Sequence, residues 1–453
     1  MNLHRLLTKR NHEKGPLRVG LIGAGKFGSM YLAQARSTAG IQIAAIADLA
    51  PARAVDALRR TGWHEGQGSA ASLSDAVAKG STFITDDALA MIASPEIDVV
   101  IDATGNPSAG IAHVLACCRQ GKHIVMVNVE ADALAGPLLA RRAEAAGIVY
   151  SLAYGDQPAL ICELVDWARA CGFDVVSAGK GTKYLPVYHQ STPDTVWSHY
   201  GFTEEQLAQG DFNAKMFNSF LDGTKSAIEM AAVANATGLI PPPNGLGFPP
   251  CGADDLPRIL RPRAAGGILD AAGQVEVVSS LERDGRPVYR DLRWGVFVTF
   301  TTENSYSARC FREYGVITDE SGRYTALYRP AHLIGLELGI SVASAALRGE
   351  PTGAACGFSG DVAATAKKDL FPGDTLDGEG GFTVFGTLLP ARKAMAEGCF
   401  PIGLAHHVKM VRPVAAGKTI TWNAVAWDGQ DETTKFRLEM EAAFKKEWAA
   451  SNE

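Results

Sequence analysis

Four charged residues in the middle of the chain have the types and spacing that carbonyl or phosphate chemistry requires. Lys180 and Lys183 belong to the segment Gly179-Lys-Gly-Thr-Lys183, and Lys225 precedes Glu229 by four residues. Glycines beside a lysine allow an anion to approach the backbone, and a lysine there can hold a phosphate or polarise a carbonyl. Residues four apart share one face of a helix. We therefore interpret Lys225 as a contact to a substrate phosphate or carbonyl, and Glu229 as a base or metal ligand.

Both patterns also have a purely structural interpretation. Lys180 and Lys183 follow a predicted strand, Asp174–Gly179, and are also compatible with two surface lysines on a hairpin turn. Lys225 and Glu229 are compatible with an intrahelical ion pair, worth only about 0.2–0.5 kcal/mol. The residues around this second pair are apolar, which predicts a buried helix. A buried ion pair is costly, so burial favours the functional interpretation of Lys225 and Glu229.

A second set of polar side chains adds candidate ligands. Asp156 lies in Tyr154-Gly-Asp-Gln-Pro158, directly after a predicted strand, where a carboxylate can bind a hard divalent cation or a substrate hydroxyl. The alternative is that Asp156 caps the helix that follows. Asn218 and Ser219 precede the helix of Lys225 and can add hydrogen bonds. Since the chain has no zinc-type His pattern, any metal should be Mg²⁺ or Mn²⁺, with Asp156 and Glu229 as its predicted ligands.

The elements that position these groups begin with a glycine-rich loop. The apolar segment Arg18–Ile22 runs into three glycines spaced G-x-G-x-x-G, then into a helix of small residues and a second apolar strand that ends at Asp48. Such a loop lets a pyrophosphate approach the backbone at the N-terminus of a helix. Asp48 lies 20 residues after Gly28, as this kind of site requires. The loop residues predicted to bind a dinucleotide are Gly23, Ala24, Gly25, Lys26, Phe27 and Gly28.

Strands and helices continue to alternate after Asp48. Ile97–Asp102 and Gly121–Val127 are predicted strands, and each is followed by small polar residues and a helix. This alternation is typical of a parallel, doubly wound sheet, whose ligands bind beyond the carboxyl ends of the strands. The polar residues predicted to line the same crevice are Thr104, Gly105, Asn128 and Glu130.

Composition excludes several classes of function. The chain has 453 residues, 47% of them hydrophobic, with a formal net charge of −6, so a nucleic-acid partner is not expected. The eight cysteines form no C-x-x-C pair, and no stretch of about 18 apolar residues indicates a membrane span. We expect a cytoplasmic enzyme with a small-molecule substrate and no membrane or nucleic-acid partner.

The whole pattern predicts an α/β protein of three domains. Residues 1–152 form the dinucleotide-binding domain, 153–355 a central α+β catalytic and dimerisation domain, and 356–453 a small β-rich region. The central domain includes a long proline-rich loop over 241–250 and a helix predicted over 331–347.

Several motifs carry a resemblance to known families. In the first two regions the chain resembles the homoserine dehydrogenase-like NAD(P)-dependent oxidoreductases, with an N-terminal Rossmann domain, and in the third it resembles a SAF domain. The motifs of the first resemblance are Gly23–Gly28, Asp102–Gly105, Val127–Asp132, Tyr154–Pro158, Asp222–Met230 and Arg329–Glu337; those of the second are Ala366–Gly381 and Pro413–Ile420. The combination is most similar to the DXP reductoisomerase-like proteins.

This resemblance implies an activity, which the residues alone do not. It implies NADPH-dependent conversion of 1-deoxy-D-xylulose 5-phosphate to 2-C-methyl-D-erythritol 4-phosphate, a step of isoprenoid biosynthesis, with a divalent metal and a homodimer. Asp48 by itself favours NAD, because an acid at this place binds the adenosine ribose, whereas Arg53 can meet a 2′-phosphate. We expect NADPH. The alternatives are a dehydrogenase of another small sugar phosphate or aldehyde without rearrangement, and a non-catalytic dinucleotide-binding protein.

Overall fold

The computed structural model describes residues 2–209 and 212–450. These residues divide into two compact units, each formed from two pieces of the chain. The first, here called the N-terminal unit, contains residues 1–163 and 332–356; the second, the central unit, contains 164–331 and 357–453. This division differs from the three predicted domains, because residues 332–356 return to the N-terminal unit and the β-rich region is part of the central unit.

The N-terminal unit contains a parallel sheet of six strands in the order β3-β2-β1-β4-β5-β6. Its strands are β1 (Leu17–Ile22), β2 (Ile41–Ala47), β3 (Phe83–Thr85), β4 (Val99–Asp102), β5 (His123–Met126) and β6 (Tyr150–Leu152). Its helices are α1 (Leu3–Lys14), α2 (Lys26–Ala35), α3 (Pro51–Arg60), α4 (Leu73–Lys79), α5 (Ala88–Ala93), α6 (Pro107–Gln120), α7 (Val129–Ala145) and, from the second piece, α15 (Gly339–Arg348). This is the predicted doubly wound α/β arrangement, in which strands buried on both faces are continuously apolar.

The N-terminal unit has a core between the sheet and its helices, formed by Leu21, Leu32, Ile46 and Ile101 among others, all fully buried. The amphipathic helix α1 buries Leu3 and Leu7 and packs against α15. The basic N-terminal segment is therefore a surface helix of the same unit.

The central unit contains a mixed sheet of four strands in the order β10-β9-β7-β8, in which β7 pairs parallel to β8 and antiparallel to β9. The strands are β7 (Asp174–Thr182), β8 (Gln274–Ser279), β9 (Val296–Thr301) and β10 (Tyr324–Arg329). The helices are α9 (Val196–Tyr200), α10 (Glu204–Gln209), α11 (Ala214–Leu221), α12 (Thr224–Thr237), α13 (Leu256–Ile259) and α14 (Ser305–Glu313), and α8 (Gln157–Ala170) crosses the boundary of the two units in sequence. Helix α12 is buried along nearly its whole length.

The β-rich region adds two small sheets to the central unit, β11 with β13 and β12 with β14 and β15. The elements are β11 (Gly360–Ala366), β12 (Thr375–Asp377), β13 (Val384–Pro390), α16 (Ala391–Ala396), β14 (His406–Met410), β15 (Val425–Ala426) and the C-terminal helix α17 (Glu432–Ala450). Both β11 and β13 pack against α12. Polar contacts join them too, since the Asn235 side chain bonds to Gly360 and the Thr224 hydroxyl accepts from the Gly386 N–H.

Two predicted boundaries are wrong in ways that matter for the site. The helix predicted over 331–347 begins only at Gly339, because residues 331–338 form turns. Strand β7 continues to Thr182, so Lys180 lies inside a strand and not in a hairpin turn. Lys183 is the first residue after that strand.

Among the described residues, the helices are all too short or too polar to cross a bilayer.

Candidate functional site

The glycine loop of the N-terminal unit has the backbone that a dinucleotide requires. Gly23 has φ of +96°, and a Cβ there would lie 2.8 Å from the carbonyl oxygen of Ala103. A Cβ on Gly28 would overlap the carbonyl oxygen of Gly23. At Gly25, by contrast, the nearest atom to an added Cβ is the Arg53 guanidinium at 3.7 Å, so this position stays accessible for a phosphate. The loop therefore fits a bound NAD(P).

The other loop residues follow from the same turn. Lys26 begins helix α2 and is exposed, whereas Phe27 packs against the core of the unit and Ala24 is buried. The free N–H groups at this helix terminus and the exposed ammonium of Lys26 favour an anion.

Asp48 and Arg53 bear on the choice between NAD and NADP. The Asp48 carboxylate accepts hydrogen bonds from the backbone N–H of Ala24 (2.8 Å) and of Ala50 (2.9 Å), so each of its oxygens already has a backbone donor. The guanidinium of Arg53, an exposed residue of α3, lies close to Gly25. This places a cation beside the loop, with the nearby carboxylate partly neutralised by hydrogen bonds.

The polar residues after β4 and β5 mainly support each other. The Thr104 hydroxyl donates to Asp102 (2.7 Å), whose other oxygen contacts His113 Nδ1 at 2.9 Å. Asn128 is fully buried, caps helix α7 by accepting from the Ala131 N–H, and donates to Thr104 Oγ1 and the Asn106 carbonyl. Asn128 therefore holds the loops after β4 and β5 together, and its contact to the cofactor stays a prediction.

Gly105 and Glu130 complete the predicted crevice residues. Gly105 has φ of +64° and open space where a Cβ would stand, so its backbone is accessible to a ligand. Glu130 is buried in the first turn of α7, where the positive end of the helix dipole favours a carboxylate.

Asp156 lies in a tight turn of the N-terminal unit. Its carboxylate accepts from the Gln157 N–H (2.9 Å), and only 5% of the residue is exposed. Gly155 has φ of +93°, and a Cβ there would lie 2.8 Å from the Leu333 carbonyl oxygen. This close approach explains why the turn needs glycine, and it fixes Asp156 at the start of α8.

The central unit brings two of the predicted residues together. Lys180 Nζ on β7 is bonded to Glu229 Oε2 on α12, and the two side chains are 7% and 5% exposed. The two side chains therefore form a buried ion pair between strand β7 and helix α12. The sequence placed Glu229 with Lys225 on one helix face; the structure pairs it with a lysine from the neighbouring strand instead.

Lys225 stands in the first turn of α12 and is itself 8% exposed. The following residue, Ser226, has a buried hydroxyl with no hydrogen-bond partner in the described structure. The helix begins after Gly223, with Asp222 accepting from the Thr224 N–H at 2.9 Å. This helix start therefore gathers a lysine, a hydroxyl and the positive end of the helix dipole.

Lys183 and the two residues of α11 have other surroundings. Lys183 Nζ donates to the His199 carbonyl (2.6 Å) and lies 5.5 Å from the centre of the Tyr200 ring; burial lowers the pKa of its amine. Asn218 is fully buried, and its amide bonds to Ser191 and to the Gly380 carbonyl.

Ser219, the remaining predicted residue of α11, donates to the Met216 carbonyl at 2.7 Å within its own helix. Asn218 therefore joins the β-rich region to the rest of the central unit, and Ser219 is satisfied locally.

Three polar groups of the central unit, two of them buried and His189 partly buried, were not predicted. Lys367 pairs with Asp222 (2.7 Å) and donates to two backbone carbonyls, and burial raises the pKa of the Asp222 carboxyl. His189 contacts Asp222 O through Nδ1 and Tyr184 OH through Nε2. Glu276 on β8 accepts from the N–H groups of residues 247, 248 and 277, and burial raises its pKa to about 7. Each joins segments far apart in sequence, so local patterns could not reveal them.

The predicted metal ligands do not form a metal site. Among the described residues, no three His, Cys, Asp or Glu side chains come together in a geometry that could hold a metal ion. Glu229 is bonded to the Lys180 ammonium group. The predicted Mg²⁺ or Mn²⁺ centre therefore has no support among the described residues.

Two family models match the chain. Residues 17–127 match the oxidoreductase family with an NAD-binding Rossmann fold, described as GFO_IDH_MocA. Residues 155–338 match the catalytic domain of the oxidoreductase DRL. The first match contains the whole glycine loop with Asp48 and Arg53, and the second contains Asp156, Lys180 and Glu229. No curated protein matches the sequence.

Solved structures with detectable similarity include dehydrogenases and other oxidoreductases. A probable dehydrogenase from Thermotoga maritima shares 15% identity over 74% of this chain and 90% of its own, with a TM-score of 0.35. A putative myo-inositol dehydrogenase from Sinorhizobium meliloti shares 13% identity over 74% of this chain and 90% of its own, with a TM-score of 0.37.

An oxidoreductase from Agrobacterium radiobacter, solved with NAD⁺, L-tartaric acid and magnesium, shares 19% identity over 37% of this chain and 44% of its own, with a TM-score of 0.27. The matched part thus spans less than half of that protein, and no substrate follows from it for the present chain.

Proposed function

Since the chain is an oxidoreductase with an NAD(P)-binding Rossmann domain, we propose that it catalyses NADPH-dependent reduction of a small phosphorylated sugar. The first candidate reaction is the reductive isomerisation of 1-deoxy-D-xylulose 5-phosphate to 2-C-methyl-D-erythritol 4-phosphate. Support for this substrate is the resemblance of the motifs to the DXP reductoisomerase-like proteins. The DRL catalytic domain match over residues 155–338 is consistent with it.

The observation that carries the proposal is the buried pair of Lys180 and Glu229. An ammonium group on a sheet, paired with a carboxylate on a buried helix, can donate a hydrogen bond to a carbonyl oxygen and then transfer its proton. The carboxylate restricts the position of the ammonium group. This is the arrangement that a carbonyl reduction needs at the oxygen that becomes a hydroxyl.

The proposed reduction can be written with all atoms accounted for. When bound, NADPH supplies a hydride to the carbonyl carbon of the rearranged, branched aldehyde. Lys180 gives its proton to the carbonyl oxygen, so that an alcohol forms, and it regains a proton from solvent. Glu229 stabilises the ammonium before this transfer and receives no covalent bond.

The charges at the start of α12 support a phosphorylated substrate. Lys225, the hydroxyl of Ser226 and the N-terminus of a 14-residue helix all favour an anion. We assign the substrate phosphate to this helix start, and the carbonyl to Lys180.

NADPH is proposed over NADH because of the environment of Arg53. Its guanidinium lies beside Gly25, and the nearby Asp48 carboxylate accepts two backbone hydrogen bonds. A carboxylate that is bonded to backbone donors repels a 2′-phosphate less strongly than an unpaired one.

One observation favours a second candidate, a simple dehydrogenase of an unbranched sugar phosphate or aldehyde. The Lys180–Glu229 pair provides the proton donor that reduction alone requires.

The experiment is a spectrophotometric assay of NADPH oxidation with 1-deoxy-D-xylulose 5-phosphate, with and without Mg²⁺ or Mn²⁺ and then with a chelator. Metal-dependent oxidation that yields the branched tetritol phosphate supports the first candidate. Oxidation with unbranched tetrulose or pentulose phosphates, insensitive to the chelator, supports the second. NADPH binding without turnover of any of these would contradict both and favour the non-catalytic alternative.

A homodimer is proposed as well. The edge strand β10 and the exposed aromatic side chains of Tyr289, Trp294 and Tyr306 offer a surface on the central unit that a second copy can cover. Light scattering of the purified protein tests this proposal, and a mass near 48 kDa at micromolar concentration would contradict it.

A further inference from the structure

A cleft lies in the N-terminal unit, at the edge of the sheet where β1 and β2 begin. It has a volume of about 720 Å³, which is in the range of small-molecule sites. Its walls are the end of helix α1, the first residues of β2, and the half-buried ring of Trp63, whose indole N–H donates to the Leu32 carbonyl.

The cleft is basic. Arg10, Lys14, Arg18 and Arg36 all line it, and its fourteen lining residues, each within the described chain, include no Asp or Glu. Arg18 is engaged with Asp98 and Glu96, both at 2.7 Å. The positive charge of the cleft therefore comes from Lys14, Arg36 and Arg10, of which Arg10 also interacts electrostatically with Asp98.

Two of these cations are held in place by backbone contacts. Arg10 Nη1 donates to the Gly15 carbonyl, and Arg36 Nη1 donates to the Thr61 carbonyl at 3.2 Å. Each contact uses one of the five N–H groups of a guanidinium, whose planar fork matches phosphate geometry. Lys14 is exposed at the end of α1 and adds a mobile charge.

The cleft is separate from the dinucleotide loop. The loop follows the carboxyl end of β1, whereas the cleft lies where β1 begins, and a six-residue strand is roughly 20 Å long. A dinucleotide bound at Gly23–Gly28 leaves these cations unused.

We propose that this basic cleft binds a small phosphorylated metabolite with at least two negative charges, as a site distinct from the cofactor site. Three cations along a concave lining that includes the ring of Trp63 suit such a ligand, because charge-assisted hydrogen bonds bind the phosphate and the aromatic ring covers the rest.

The test uses inorganic pyrophosphate as the probe, titrated calorimetrically into the full chain saturated with NADPH. The variants are Arg10→Ala/Arg36→Ala and Lys14→Ala. The matched controls are Lys9→Ala on the exposed face of α1 and Arg59→Ala on α3, both outside the cleft. Circular dichroism and thermal melting establish that each variant is folded.

We expect one binding event that NADPH does not abolish, weakened roughly 10-fold or more in the double arginine variant and less in Lys14→Ala. It should also weaken as salt is added, and the two controls should bind as the wild type does. The proposal is overturned if pyrophosphate does not bind, if NADPH displaces it, or if the folded double variant binds it with unchanged affinity.

Discussion

The glycine loop of the N-terminal unit and the Lys180–Glu229 pair of the central unit are specified in different ways. The loop depends on backbone conformation over six consecutive residues, where a Cβ at position 23 or 28 meets a carbonyl oxygen. The pair depends on two side chains 49 residues apart, which meet only because β7 and α12 pack together. A cofactor loop defined by its backbone conformation can therefore be identified from a sequence motif. A candidate catalytic site formed by distant side chains depends on tertiary packing.

The largest effect on turnover is expected when one residue of the Lys180–Glu229 pair is replaced. Glu229→Gln removes the carboxylate that holds the Lys180 ammonium group in position. We expect the turnover number to fall by roughly 10²–10³, with NADPH affinity unchanged. The measurement is steady-state NADPH oxidation together with a fluorescence titration of the cofactor.

A double variant of the Lys180–Glu229 pair separates an effect on catalysis from an effect on stability. Replacing both charges by apolar groups, as in Lys180→Met/Glu229→Leu, should restore the stability that Glu229→Gln loses, because no uncompensated charge remains in the interior. Turnover should stay roughly 10²-fold or more below that of the wild type. Wild-type turnover in this folded double variant would show that the pair is only structural.

A single added methyl group in the glycine loop should weaken cofactor binding. Gly28→Ala forces a Cβ into the carbonyl oxygen of Gly23, and neither backbone can move without displacing the loop. We expect NADPH to bind roughly 10- to 100-fold more weakly. Gly357→Ala is the control, since no atom lies within 4 Å of its added Cβ. Equal affinities in the two variants would contradict this account of the loop.

A smaller effect is expected from the charge beside the loop. Arg53→Ala should weaken NADPH binding about 10-fold and leave NADH binding nearly unchanged, because only NADPH carries the 2′-phosphate. Parallel titrations with the two cofactors measure this difference. If both cofactors are weakened equally, Arg53 contacts the pyrophosphate instead, and the NADPH assignment loses its structural support.

The smallest expected effect concerns pH and the buried Glu276 of the central unit. Its pKa is raised to about 7 by burial, against 4.5 for an ordinary glutamate. The folded state therefore holds this proton between pH 4.5 and 7 while the unfolded chain releases it. The free energy of unfolding should fall as the pH rises through that window, by on the order of 3 kcal/mol, and level off above it.

Glu276→Gln should remove most of this dependence. The amide oxygen can replace Oε1, which accepts from the N–H groups of Gly247, Phe248 and Val277. Thermal melting at pH 5 and pH 7.5 should show the variant gaining stability relative to the wild type as the pH rises. The exposed Asp284→Asn is the matched control. A wild-type pH dependence in Glu276→Gln would contradict the assignment.

The sequence predicted the N-terminal sheet because its signals are local. Each strand is an apolar run, and the turns carry their own glycine or capping residue, as Asn128 caps α7 and Asn106 caps α6. The α/β class and the elements around the glycine loop are confirmed by the structure. The composition of residues 331–338 is compatible with the predicted helix. They nevertheless form turns, because they pack against Gly155.

The candidate site was only partly predictable. The glycines beside Lys180 and the apolar residues around Glu229 predict both as site residues, but their pairing needs the packing of a strand on a helix. Lys367 binding Asp222 across 145 positions leaves no local signal at all. Asn218 was selected as a polar residue before a helix, and the structure shows that it joins the β-rich region to the central unit.

The most direct test of the proposed function is a paired measurement on Lys180→Met. NADPH binding is measured by fluorescence titration, and NADPH oxidation by absorbance in a single turnover with the substrate that the wild-type enzyme uses. We predict cofactor affinity equal to the wild type and a rate reduced by roughly 10²–10⁴. A rate close to that of the wild type would contradict the assignment of Lys180 as the proton donor.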